Sequence, residues 1–142
     1  MNLVTSKTIY YKLSLDASEI DDNFEPKVKQ FCKDNLNKKI YNDFYIDSIN
    51  NININNNIKI NNDKLIIRCY CECQIIDLIV KSTFKMKIND VNKMGAYYKY
   101  EKICIFIPQH FIKTNININD IVNIKLLGKR VEDNIICIAD FI

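Results

Sequence analysis

The chain has 142 residues, 48% hydrophobic and 26% charged, with 20 Lys/Arg against 17 Asp/Glu and a formal charge of +3. That balance excludes a disordered chain, and no stretch reaches the roughly 18 apolar residues that a membrane span needs. Met1 to Lys12 has no long apolar core, so no secretory signal is expected, and the six Cys are expected as reduced thiols in an intracellular setting.

In chain order, Thr8 to Leu15 reads as a strand, with Ile9, Tyr11, Leu13 and Leu15 on one face. Asp21 to Glu25 is a polar turn. Pro26 then suits a first helical turn, where its missing N–H costs nothing. Val28, Phe31, Cys32, Asn35, Leu36 and Ile40 fall at helical spacing, so one helix is expected over Pro26 to Lys39. Strands are expected at Phe44 to Ile54, at Ile58 to Ile60 and at Leu65 to Ile76, with Asn-rich turns between them. The second half reads as strands at Ser82 to Asn92, Ala96 to Tyr100, Ile103 to Ile107, Ile121 to Leu127 and Asn134 to Phe141. Gly95 and Gly128, the only two glycines, fall at the expected strand ends.

The expected fold class is therefore α+β. A small mixed domain over residues 1–78, one helix on an antiparallel sheet, precedes a five-stranded OB-like β-barrel over residues 79–142. Charge is divided unevenly between them. Residues 1–78 carry ten Lys/Arg and eleven Asp/Glu; residues 79–142 carry ten and six, a surplus of +4 that suits an anionic partner.

Catalytic chemistry is not indicated. There is one histidine, His110, and two glycines cannot form a phosphate-cradling loop. Cys69, Cys71 and Cys73 invite a zinc reading, yet alternate strand residues share one face about 7 Å apart, which points to a core face rather than a metal site. Cys32, Cys104 and Cys137 read as small core residues. No metal and no cofactor is expected.

Several runs carry a family likeness. Val91-Asn92-Lys93-Met94-Gly95-Ala96-Tyr97-Tyr98 resembles the V-N-K-x-G-F-F run in the barrel of multisubunit RNA polymerase stalk subunits. Ile105-Phe106-Ile107-Pro108-Gln109-His110-Phe111-Ile112 resembles their V-F-V-S-x-H-L-I. Asp120 to Val131 resembles D-x-V-x-V-K-I-x-G-x-R-I, and Ile136-Cys137-Ile138-Ala139 resembles I-x-A-I-G. Phe24-Glu25-Pro26 is similar to the F-G-P that opens the family's tip helix. The pattern is not matched throughout: residues 37–44 lack the tip-loop glycines, residues 78–84 lack the Pro and Gly of the interdomain joint, and the connection after His110 is shorter.

The resemblance, to the seventh subunit of RNA polymerase II and its archaeal counterpart, implies a non-catalytic stalk subunit. It implies a front domain docked on the large polymerase subunits, a barrel of S1 type meeting emerging single-stranded RNA, and a small helical partner subunit. The Asn- and Ile-rich composition suggests a polymerase encoded by a large DNA virus, at work in the host cytoplasm or carried in the virion; a cellular version would be nuclear. Tyr97 and Phe106 occupy the family's two stacking positions, with Lys85, Lys87, Lys93, Lys99, Lys125, Lys129 and Arg130 as the charge. Each ring either stacks on a base or packs on the front domain. Lys38, Lys39 and Tyr41, in the tip loop, are the expected polymerase contacts. Two other readings stand beside this one: a free-standing S1-type RNA-binding or translation-associated protein, and an interaction module without RNA.

Overall fold

A computed structural model describes residues 3–19 and 21–142; the first two residues of the expected front domain, and Ile20, lie outside the described residues. The fold is mixed α+β. Among the described residues it has one α-helix and eleven strands, most of them in curled sheets. Proximity divides the chain into two compact units. One comprises Val4–Lys39 and Ile46–Ile75; the other comprises Ile40–Tyr45 and Ile76–Ile142.

The first sheet has the order β1 (Val4–Asp16), β5 (Lys64–Ile76), β3 (Phe44–Ile54), β2 (Ile40–Tyr41), with β4 (Lys59–Asn61) also on β5. Its alternation is that of a sheet with one covered face. Ile9, Leu13, Leu15, Leu65, Ile67, Cys69, Cys71, Cys73 and Ile75 are all buried. The helix α1 (Phe24–Leu36) lies over that face through Val28, Cys32 and Leu36, one residue per turn. Burying Val28 and Leu36 contributes about 1.5–3 kcal/mol each.

The helix begins two residues before the expected Pro26, which becomes its third residue. The N–H lost there still has no intrahelical partner, so the earlier start is free of cost. Just outside it, the Asp21 carboxylate accepts hydrogen bonds from the Asn23 N–H (2.8 Å) and from Lys27 (2.6 Å). These bonds hold the Asp21 carboxyl below the usual carboxylate range, Lys27 first. The helix stops at Leu36, short of Lys39, because Asn37 is extended and Lys38 has φ 59°. The Lys38 N–H donates to the Ile46 carbonyl and the Ile46 N–H to the Lys39 carbonyl. Phe31, expected on the buried stripe, is exposed at its margin, and Ile40 has left the helix for β2.

The second sheet has the order β6 (Thr83–Lys87), β10 (Ile121–Val131), β11 (Ile135–Phe141), β9 (Ile103–Pro108), β8 (Gly95–Tyr100), β7 (Asp90–Asn92). The strand expected over Ser82 to Asn92 is split into β6 and β7, the two edges of this sheet. Only Ile88 and Asn89 separate them, so one chain segment joins both edges and the sheet curls. The Ile88 N–H bonds the Asp120 carbonyl ahead of β10, while the Asn89 N–H bonds the Tyr97 carbonyl on β8. The Asn89 side chain fastens the switch, accepting from the Lys99 N–H (2.8 Å) and donating to the Lys99 carbonyl (2.7 Å). All neighbours are antiparallel except β9 and β11, which are parallel. Met86, Ile88, Ala96, Ile103, Ile105, Ile107, Ile124, Leu126, Ile135, Cys137 and Ala139 fill the inside.

Gly128, expected at a strand end, is in mid-strand: β10 continues to Val131, and its register on β11 jumps between Leu126 and Gly128. The extra residue is a β-bulge. No described helix is long and apolar enough to cross a membrane.

Candidate nucleic-acid interface

The outer face of the second sheet is set by strand alternation. Ile103, Ile105 and Ile107 point inward, which leaves Cys104 and Phe106 outside on β9. Phe106 pairs in register with Tyr97 on β8 and with Ile138 on β11. The Tyr97 and Phe106 rings are stacked, 4.7 Å between centroids and 20° between planes. Cys104 pairs with Lys99 on one side and Ile136 on the other, and Arg130 follows Ile136 on β10. Two rows thus cross the sheet side by side. One is an apolar row, Tyr97–Phe106–Ile138; the other runs Lys99–Cys104–Ile136–Arg130 with a cation at each end.

Gly95 makes this face possible. Its φ is +151°, and a Cβ there would lie 2.0 Å from the Ile107 carbonyl oxygen and 2.8 Å from the Phe106 ring. The ring therefore packs over bare backbone. Lys99 sets its ammonium 4.7 Å from the Tyr97 ring centroid and 3.0 Å from the Asp90 carboxylate. The hydrogen bond to Asp90 raises the Lys99 pKa above its ordinary value, so this cation persists into the alkaline range.

The other expected contacts are dispersed. Lys85 and Lys87 are exposed on β6, and Lys125 is exposed opposite Thr83 on β10. Lys93 is exposed in the β7–β8 turn, where the Asn92 side chain caps the Met94 N–H (2.8 Å). Arg130 is exposed but engages Glu132 at 2.6 Å. Lys129 is turned inward: its side chain is only 10% exposed and meets Asp77 at 3.7 Å. The bulge is the cause, because one inserted residue exchanges the inward and outward faces of everything after it.

In the β2–β3 hairpin, Lys39 is exposed and Tyr41 half-buried, with its ring 5.9 Å from Phe44. Lys38 meets Asp47 at 3.5 Å. Tyr45 sets its ring edge-on to Tyr100, 6.3 Å between centroids; Ile40–Tyr45 belong to the C-terminal unit, whereas Lys38 and Lys39 belong to the other.

Two members of the face escaped the sequence reading. Ile136 and Ile138 are 47% and 44% exposed. They belong to the unbroken apolar run 135–139, where no polar residue marks the outward positions. The only signal was the parity of Cys137 and Ala139.

Five of the six cysteines line the inside; Cys104, expected as a core residue, is half-buried on the outer face of β9 because it alternates with the inward Ile103 and Ile105. Cys69, Cys71 and Cys73 share the face under α1, and the Cys32 thiol hydrogen-bonds there with Cys71. That bond and burial raise the Cys32 thiol well above its ordinary value; burial raises Cys73 and Cys137 to about 11. Among the described residues no group of three or more His, Cys, Asp or Glu is placed to hold a metal ion.

What the face offers is therefore aromatic surface and positive charge. No protein-family model matches the chain, and no curated protein matches it.

Proposed function

We propose that this chain is the non-catalytic stalk subunit of a DNA-directed RNA polymerase, working in transcription by holding emerging single-stranded RNA on an OB-like barrel. One observation carries the reading: the outward Tyr97–Phe106 stack over Gly95, flanked by Lys99. OB barrels hold single strands by stacking bases on such rings while cations follow the phosphates. Strand order supports the OB identity. If β6 and β7 are counted as one bent strand, the strand order of the second sheet matches that of a five-stranded Greek-key barrel, with β9 and β11 as the parallel pair. The family-like runs fall on this sheet in order: 91–98 on β7 and β8, 105–112 on β9 and the short helical turn after it, 120–131 on β10. On this reading residues 1–78 are the tip domain and residues 79–142 the barrel, with Lys38, Lys39 and Tyr41, in the loop after α1, the polymerase contact. A small helical partner subunit and residence wherever the polymerase works belong to the same proposal.

Affinity purification of the tagged chain from its own cell or infected cell, with mass spectrometry, is the test. Large polymerase subunits are expected in stoichiometric amount. Their absence, with translation factors recovered instead, overturns the polymerase assignment. RNA contact is tested separately, by salt titration of oligouridylate affinity. Phe106→Ala is expected to weaken binding roughly five- to a hundredfold. Lys125→Gln is expected to flatten the logarithmic salt dependence by about 0.7. Coincident curves for wild type and both variants would leave the face as a protein-docking surface.

A further inference from the structure

The outer face of the first sheet, opposite α1, carries a second aromatic pair. Three contacts fix how β1 and β5 run. The Gln74 amide donates to the Ser6 hydroxyl (3.1 Å), Lys64 meets Asp16 at 3.5 Å, and the Ala17 N–H donates to the Asp63 carbonyl (3.1 Å). One strand rises as the other falls by equal steps, so the pair is antiparallel. Four residues in from the Ser6–Gln74 contact, Tyr10 stands across from Tyr70. Two further on, Lys12 stands across from Arg68. The Tyr10 and Tyr70 rings meet edge to face, 4.9 Å between centroids and 88° between planes. Asn55 donates to the Tyr70 hydroxyl (3.2 Å) and holds that ring in place. Tyr10 remains 69% exposed. A groove of about 250 Å³ runs along this square of side chains, lined by Tyr10, Lys12, Arg68 and Tyr70.

Both cations are exposed, and neither has an ion-pair partner among the described residues, whereas Lys64 on the same strands is paired with Asp16. Two unpaired cations beside an exposed, pre-positioned ring call for a ligand that is both planar and anionic. The neighbours are mostly polar: Ser6, Thr8, Glu72 and Gln74 continue the face on one side, and Ser14 with the half-buried Ile66 on the other. From this we propose that the first sheet is a second binding site for single-stranded nucleic acid. One base stacks on Tyr10 against the edge of Tyr70, and the adjoining phosphates lie on Lys12 and Arg68. Sheets that present aromatics on adjacent strands receive bases in this way. The site shares no residue with the barrel face and does not rest on the polymerase assignment.

The test uses the full chain and a short fluorescein-labelled oligouridylate, read by anisotropy, in two backgrounds: wild type and Phe106→Ala. Tyr10→Ala is expected to weaken the binding that remains in Phe106→Ala roughly five- to a hundredfold, and in wild type to remove one of two binding events. Tyr10→Phe is expected to retain it, and thermal unfolding of both variants to match the parent, since the ring is exposed. Lys12→Gln with Arg68→Gln is expected to flatten the logarithmic salt dependence by about 0.7 per cation removed. Unchanged affinity of Tyr10→Ala in both backgrounds overturns the proposal, and so does absence of binding by the wild type at low salt. Loss of co-purifying proteins in Tyr10→Ala with unchanged oligouridylate affinity also overturns it, and makes the face a protein contact. Loss on Phe106→Ala alone leaves the barrel as the sole RNA site; loss on Tyr10→Ala alone keeps this proposal and removes the barrel's role.

Discussion

Gly95 and Gly128 show how differently one residue type can be used. At Gly95 a side chain would collide with the Ile107 backbone and the Phe106 ring, in a conformation that L-residues rarely adopt. Gly95→Ala is expected to cost about 2–4 kcal/mol of stability and to lift Phe106 off its seat, disturbing the Tyr97 stack. Gly128 has nothing within 4 Å of its notional Cβ, so Gly128→Ala is expected to stay within about 0.5 kcal/mol of wild type. Urea unfolding of the two variants side by side checks this; equal midpoints would refute the role given to Gly95.

At the scale of the element, the bulge in β10 governs what its basic residues do. Before it, Lys125 faces outward across from Asp140. After it, Lys129 faces inward across from the buried Cys137 and reaches Asp77. Lys129→Ala leaves the half-buried Asp77 carboxylate without its partner, an expected loss of about 1 kcal/mol. On the proposed RNA-binding reading, the salt dependence of oligouridylate affinity is expected to be unchanged, because this ammonium is turned inward. A thermal melt and a salt titration on the same variant separate the two roles. A flattened salt slope with an unaltered melting temperature would return Lys129 to the outer surface. Deleting Leu127 tests the device itself, since removing the extra residue restores simple alternation and turns the Lys129 position outward. The split between β6 and β7 at Ile88 and Asn89 is a similar device: Ile88 bonds toward β10 and Asn89 toward β8, and the sheet gains a bend between its edges.

Over the whole molecule, both units keep neutral thiols in their cores. Burial raises Cys73 in one unit and Cys137 in the other from an ordinary 9.0 to about 11. The unfolded chain releases these protons from about pH 9, whereas the native protein keeps them until about pH 11. Between those values the native state binds more protons, so stability is full below pH 9 and falls as pH rises through 11. Denaturant midpoints from pH 8 to 11 measure it, and the fall should shrink in Cys73→Val and Cys137→Val. A midpoint that is flat across this range, or an equal fall in the valine variants, would contradict the assignment.

The sequence alone determined the element types. Helical spacing at Val28, Cys32 and Leu36 and strict alternation from Leu65 to Cys73 leave little choice, because burial of one face imposes a period of its own on each kind of element. It also pointed to Tyr97 and Phe106, whose neighbours Ile105 and Ile107 mark the inward positions. Tertiary structure decided what depends on partners distant in the chain. Helix α1 ends at Leu36 because Lys38 and Lys39 bond to Ile46 instead of continuing the helix. Lys129 points inward because β11 accepts a bulge opposite Ala139 and Ile138. Ile138 joins the Phe106 row and Ile136 the Cys104 row through parallel pairing with β9, and Tyr10 meets Tyr70 across sixty residues of chain. A period along one strand states which residues share a face. Which residue stands beside another, and whether a bulge has exchanged the faces in between, is set only when a second strand supplies its hydrogen bonds.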